Sequence, residues 1–240
     1  MIDWLRREML EPEIDLGPRT VPIVLKRNAR ARRLTLRLAP DGREVRLTLP
    51  RWARSAEAIA FAHARRDWLA AQFAKLPQRE EPQAGGTIQY RGQALLIDWH
   101  EKAPRRPTLA DGTITLGGPR DALETRLGRW LEGEARSLFT ADVAHYCNVA
   151  QLESVPVSLS RAQRRWGSCS DRKRIRLNWR LVQAPDHVRR SVVAHEVTHL
   201  VHFDHSPAFH AMLGKIFEGD IALADRWLKD HGRTLYTHFG

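Results

Sequence analysis

Cysteine is nearly absent from this chain: Cys147 and Cys169 are the only two in 240 residues. They are too few for a disulfide framework or a thiolate zinc site and they suit a reducing compartment, so any metal must rest on histidine and carboxylate. Long apolar runs are missing too, because charges break every hydrophobic stretch before membrane-spanning length. The N-terminal MIDWLRREMLEPEIDLG lacks the apolar core and small-residue cleavage site of a secretory signal. The expectation is a folded cytoplasmic protein with no membrane partner. Neither a low-complexity linker nor an internal repeat is evident.

Acidic residues are in deficit, with 28 Asp plus Glu against 39 Lys plus Arg. The excess is mostly arginine, concentrated in KRNARARRLTLR, RRPT and RAQRRWGSCSDRKRIR. Such a balance favours polyanionic partners or anionic substrates. Solvated faces in an arginine-rich, alanine-rich composition account for it equally well.

RTVPIVLKRN and ARRLTLRLAPDGREVRLTLP alternate apolar and polar residues around Pro40-Asp41-Gly42, the pattern of half-buried antiparallel strands joined in a hairpin. SAEAIAFAHARRDWLAAQFAKL turns to helical period, with Ser55 as N-cap, Pro77 as stop, and Ile59, Phe61, Trp68, Leu69 and Phe73 facing the sheet. Short strands resume in GGTIQYRGQALLIDWH and RPTLADGTITLGG. Residues 1–118 therefore read as a small β-rich α+β domain with antiparallel strands and one helix, closed by Gly117-Gly118-Pro119.

Residues 119–240 form the second domain. A long amphipathic helix carries Leu123, Leu127, Trp130, Leu131, Leu138 and Phe139 on one stripe. The strands VPVSLS and RIRLN flank RAQRRWGSCSDRK, and Pro185 opens a helix through DHVRRSVVAHEVTHLVHF that ends near Asp204. Two closing helices follow, SPAFHAMLGKIF and DIALADRWLKDHG.

His195-Glu196-Val197-Thr198-His199 matches H-E-x-x-H, in which two histidines one helical turn apart share one zinc ion and the glutamate reaches a water. Catalytic zinc needs a third protein ligand and an open position. Helical geometry favours His205, which a turn before Ser206-Pro207 can swing back. His202 competes, but on an unbroken helix it projects one turn beyond His199; His210 lies further off on the next helix. His63, His100, His145, His187, His231 and His238 have no such company. Val192, Val193, Val197 and Leu200 read as core.

RAQRRWGSCS, IRLNWRLVQAP and VVAHEVTHLVHFDHSPAFHAML, in this order and spacing, resemble the YgjP-type metal-dependent hydrolases, a branch of the zincin metallopeptidases related to SprT-like proteases. RNARARRLTLRL also fits the family's start. The resemblance implies a zincin-like C-terminal domain of helices and a small mixed sheet. It makes His195, His199 and His205 ligands of Zn2+ and Glu196 the general base that takes a proton from the zinc-bound water. Two departures are His210, where tryptophan is usual, and Asp204, where asparagine is usual and a carboxylate can adjust the third ligand.

Arg161, Arg164, Arg165, Trp166, Gly167 and Ser168 are the candidate substrate-binding residues. Gly167 between two strands would let a sheet edge pair with an extended peptide; a hairpin with Trp166 in the core is the competing reading. Cys169 reads as a packing residue. The leading function is a zinc-dependent metallopeptidase acting on protein or peptide. A second reading has Arg161, Arg164, Arg165, Arg172, Lys173 and Arg174 hold a nucleoside triphosphate for metal-dependent pyrophosphate hydrolysis. A third is a basic nucleic-acid-binding protein with a structural metal.

Overall fold

The computed structural model describes residues 12–39, 41–76 and 80–239. The leader, Pro40 of the anticipated turn and Pro77 of the anticipated helix stop lie outside them. By contacts the chain divides into two compact units, Met1–Gln78 and Arg79–Gly240.

In the first unit β1 (Glu13–Asp15), β2 (Thr20–Arg27), β3 (Thr35–Leu38) and β4 (Val45–Leu49) form one sheet in the order β1-β2-β4-β3. The alternation in β4 buries Val45, Leu47 and Leu49 and leaves Arg46 and Thr48 half-buried on the other face. The expected β3–β4 hairpin forms, with Leu38 opposite Val45. Its turn needs Gly42, where φ is +67° and a Cβ would meet Leu76 at 2.7 Å. Antiparallel pairing is not universal, however. β3 sends the chain back alongside β2, so β2 and β4 pair in parallel from Ile23 opposite Val45 to Arg27 opposite Leu49.

The anticipated single helix is two, α1 (Ser55–Ala64) and α2 (Arg66–Phe73), broken at Arg65 with φ −109° and ψ 16°. Ser55 is the first helical residue and not the cap, a position that Arg54 occupies without a side-chain bond. Ala58, Ala62 and Leu69 are the buried positions, with Ile59, Phe61 and Phe73 packed at the margin. Trp68 is 47% exposed, a correction to the sequence reading. Methyl side chains win the inner face because they let the helix backbone come close to the sheet.

The second unit opens with β5 (Thr87–Tyr90), β6 (Gln93–Trp99), β7 (Thr108–Ala110) and β8 (Thr113–Leu116), in the order β5-β6-β8-β7. Their Ile88, Leu95, Ile97, Ile114 and Leu116 share one core with Leu123, Leu127 and Leu131 of α3 (Leu123–Val149). The division thus falls after residue 78, not at the expected 118. Gly117-Gly118-Pro119 turns the chain without separating cores.

The two sheets share one topology, although no internal repeat is evident in the sequence. In each, an antiparallel hairpin (β1–β2, β5–β6) joins a second (β3–β4, β7–β8) through a parallel central pair. Leu25 opposite Leu47 in the first matches Ile97 opposite Ile114 in the second, each two residues before the last pair of its parallel seam, Arg27 with Leu49 and Trp99 with Leu116. Only the apolar positions and the short RRLTL and RRPTL strings recur in sequence.

After α3, β9 (Val157–Ser160), β10 (Gly167–Cys169) and β11 (Ile175–Asn178) make a third mixed sheet in the order β10-β11-β9, which leaves β10 at an edge. α4 (Asp186–Thr198), α5 (Pro207–Ile216) and α6 (Ile221–His231) complete an α+β protein with six α-helices and three small mixed sheets among the described residues. Among those residues no helix is long and apolar enough to cross a membrane.

Candidate metal centre

Helix α4 is held by charge at its start and by apolar packing along its length. Asp186 accepts from Arg91 at 3.0 Å and also bonds Arg189, whose Nε donates to Asp142 at 2.7 Å. The Arg91 guanidinium, aided by Arg189, keeps Asp186 below the usual carboxylate range. Of the four positions read as core, Val193 and Val197 are fully buried and Leu200 nearly so, while Val192 is half-buried; Val188 and Ala194 are buried with them. This anchoring leaves His195 and His199 half-buried at the C-terminal end.

The helix stops at Thr198, well before the expected Asp204, with His199 at its cap. Residues 199–206 then turn back, and Ser206 opens α5 by accepting from the Phe209 N–H while Pro207 takes the first turn. Asp204 belongs to this turn: hydrogen bonds from Ser206 keep its carboxyl below the ordinary range. Its carboxylate is spent on the turn that aims His205.

Three imidazoles converge as a result. Nε2 of His195 lies 3.1 Å from Nε2 of His199 and 3.2 Å from Nε2 of His205. One tetrahedral zinc with Zn–N bonds of about 2.0–2.1 Å sets nitrogens roughly 3.3 Å apart, so the donor set fits a single ion. Among the described residues, these three make the one group of three or more His, Cys or carboxylate side chains able to hold a metal. His202 is not in it. Its carbonyl oxygen lies 2.9 Å from Nδ1 of His199, where an N–H donates and leaves Nε2 free to ligate. Burial, then the neighbouring imidazoles of His199, His205 and His210, hold the His195 pKa down to about 4, so its ring is neutral and a lone-pair donor.

Phe209 is the residue that sequence reasoning missed. Fully buried, it sets its ring 4.9, 4.7 and 4.8 Å from those of His195, His199 and His205, as a common floor. Its only sequence signal is helical spacing with Leu213 and Ile216, which any core phenylalanine shows. His210 lies to the side, 6.5 Å from the His205 ring.

Glu196 packs against the edge strand β10. It is 5% exposed, and its Oε2 has no hydrogen-bond partner among the described residues. Burial pushes its pKa up to about 7, against the charge of Arg165 and a hydrogen bond from the Cys169 N–H. A Cβ on Gly167 would lie 2.6 Å from Glu196 Cγ, so the glycine admits the carboxyl. An unsatisfied buried carboxyl oxygen on the residue between two of the three converging histidines in the chain suits a site that takes a metal ion and a polar reactant.

The six substrate-binding candidates are not equivalent. Gly167 and Ser168 lie on the edge strand β10, and Arg164 and Arg165 are exposed just before it. Arg161 is exposed but ion-paired with Glu132. Trp166 is half-buried, 6.0 Å from the Tyr236 ring and packed against the buried cluster of Ala184, Val188, Ala224 and Leu235, which favours its reading as core. Arg172, Lys173 and Arg174 sit in the β10–β11 turn, at the opposite end of β10 from Arg164 and Arg165, and so do not gather with them into one phosphate cradle. Of the remaining histidines, His100 pairs with Asp98, His145 packs on Tyr146, His231 on Trp227, and His238 meets the Glu80 carbonyl.

An α+β fold with three convergent imidazoles and a buried carboxylate one residue beyond the first defines the class of metal-dependent hydrolases. The chain belongs to the YgjP-like family: the family model described as YgjP-like, metallopeptidase domain, matches residues 32–231. No curated protein and no solved structure gives a significant match.

Proposed function

We propose that this chain is a cytoplasmic zinc metallopeptidase. His195, His199 and His205 hold the ion, Glu196 is the general base, and the substrate is an extended protein or peptide laid along β10. The observation that carries the reading is the pairing of Nε2 atoms 3.1 and 3.2 Å apart with a buried carboxyl whose Oε2 has no partner. Three imidazoles suit zinc, which supplies a Lewis acid that acidifies water and polarises a carbonyl.

The chain's own residues do the rest. Glu196, with a pKa raised to about 7, takes a proton from the attacking water and returns it to the leaving nitrogen. Gly167 keeps that carboxyl against the strand. The outer edge of β10 offers backbone groups to an extended substrate, with Arg164 and Arg165 at its entrance. Cys147 and Cys169 are both free thiols, in keeping with a cytoplasmic location.

Metal content and casein turnover measured together test this. The wild type should carry near-stoichiometric zinc, His205→Ala should lose it, and Glu196→Gln should keep it while losing turnover. A purified wild type that neither contains nor takes up metal sinks the proposal.

A further inference from the structure

The exposed end of the first sheet has no part in the metal site. β2 and β4 run in parallel and finish side by side, Arg27 opposite Leu49, with the Asn28 N–H donating to the Leu49 carbonyl at 2.9 Å. The loops that follow, 28–34 and 50–54, therefore leave from neighbouring strands about 4.8 Å apart at the same end of the sheet. They carry Arg30, Arg32 and Arg33 on one side and Arg51, Trp52 and Arg54 on the other, all exposed. Trp52 is 75% exposed, the most of any large hydrophobic side chain described.

The second loop is braced. The Arg27 guanidinium donates to the Arg51 carbonyl at 3.1 Å, the Ala53 carbonyl at 2.8 Å and the Ser55 hydroxyl at 3.1 Å, while Ala53 is buried. The indole is thus presented on an ordered loop. From Arg27 to Arg54 the chain has nine arginines and two carboxylates, Asp41 and Glu44. Both lie in the β3–β4 turn, at the opposite end of the sheet from the two loops, where Glu44 pairs with Arg46 and Asp41 accepts from the Arg43 N–H.

The second sheet supplies an internal comparison. At the matching end of β6 and β8, the His100 N–H donates to the Leu116 carbonyl, Trp99 is half-buried with its Nε1 donating to the Gly118 carbonyl at 3.1 Å, and Gly117 packs on Ala103. The second sheet closes its end with Trp99 tucked in. The first has Arg27 at the matching strand position and leaves Trp52, on the loop after β4, open among arginines.

We propose that this end of the first sheet binds single-stranded nucleic acid, with an unpaired base stacked on Trp52 and phosphates contacted by Arg30, Arg32, Arg33, Arg51 and Arg54. An exposed indole among guanidinium groups matches the alternation of flat bases and phosphates in a single strand. A duplex hides its base faces, and an acidic peptide would use the charge without the ring.

The test is fluorescence anisotropy of the full chain with labelled single-stranded DNA and RNA of about 15 nucleotides, the two arms deciding which sugar is preferred. Trp52→Ala should weaken binding about tenfold at fixed salt, and Trp52→Phe should restore most of it. Arg51→Ala and Arg54→Ala should each flatten the dependence of log K on log salt by roughly 0.7. Glu196→Gln and metal-stripped protein should bind as the wild type does, which separates this surface from the proposed peptidase site. Equal affinity in Trp52→Ala would overturn the proposal, as would better competition by duplex than by single strand. So would tighter binding to phosphatidylserine vesicles than to the oligonucleotides, or no binding at low salt.

Discussion

The carboxyl of Glu196 rests on the Cα of Gly167: a Cβ built there would lie 2.6 Å from Glu196 Cγ and 2.7 Å from Cδ. The glycine of β10 and the glutamate of α4 define each other's position. Gly167→Ala should push the carboxyl aside while the three histidines still bind metal. A displacement near 1 Å costs on the order of a hundredfold in rate. The expected result is zinc content at wild-type level with turnover down about that much, read from metal analysis and kinetics on the same preparation.

Phe209 supports all three imidazoles from below, so its loss should be felt twice. Phe209→Ala should destabilise the fold by about 3–5 kcal/mol as a buried cavity. It should also loosen zinc, whereas Phe209→Leu should lose less of both. Thermal unfolding and competition with a chelator separate the two effects, and unchanged chelator competition in Phe209→Ala would show that the ring only fills space.

The convergence of the three histidines was legible because its information is local: H-E-x-x-H sets two imidazoles one helical turn apart, and Ser206-Pro207 announces the turn that returns His205. What Glu196 rests on was not legible, since Gly167 is distant in sequence and glycine between strands has many uses. The division after residue 78 was hidden for a related reason. Strands β5 to β8 read the same whether they pack on α1 or α3, and Gly117-Gly118-Pro119 signals only a turn. The break at Arg65 and the exposure of Trp68 arise because Ala58 and Ala62 take the inner face, a preference that hydrophobicity alone does not express.

Asp186 makes stability depend on pH in one direction. The Arg91 guanidinium and Arg189 lower its pKa in the folded protein. A depressed carboxylate contributes fully above its unfolded value, about 3.9, and its contribution fades as pH falls through the folded value. Asp186→Asn should therefore be less stable than the wild type at neutral pH, by an amount that stays level down to about pH 4 and shrinks below it. Urea unfolding of both proteins across that range is the measurement; a constant difference down to pH 2 would reject the assignment.

Metal should stabilise as well as activate, because its three donors come from the end of α4 and the turn that follows. Zinc at a hundredfold excess over its dissociation constant adds about 2.7 kcal/mol if the unfolded chain does not bind it. Chelator treatment should therefore lower the Tm, and zinc should restore it in the wild type and in Glu196→Gln but not in His205→Ala. A Tm indifferent to chelator would separate the histidine cluster from metal binding altogether.

Each four-stranded sheet consists of two neighbouring hairpins stitched by one parallel seam, Ile23–Arg27 with Val45–Leu49 and Leu96–Trp99 with Thr113–Leu116. Hairpins close between strands adjacent in the chain, within microseconds, whereas a parallel seam must first enclose the intervening strand, β3 or β7, as a loop. The slow event in assembling either sheet is accordingly a single zippering step between two preformed pieces. In the first sheet that same step sets the arginine loops beside each other, so the surface around Trp52 comes into being only when its seam has closed.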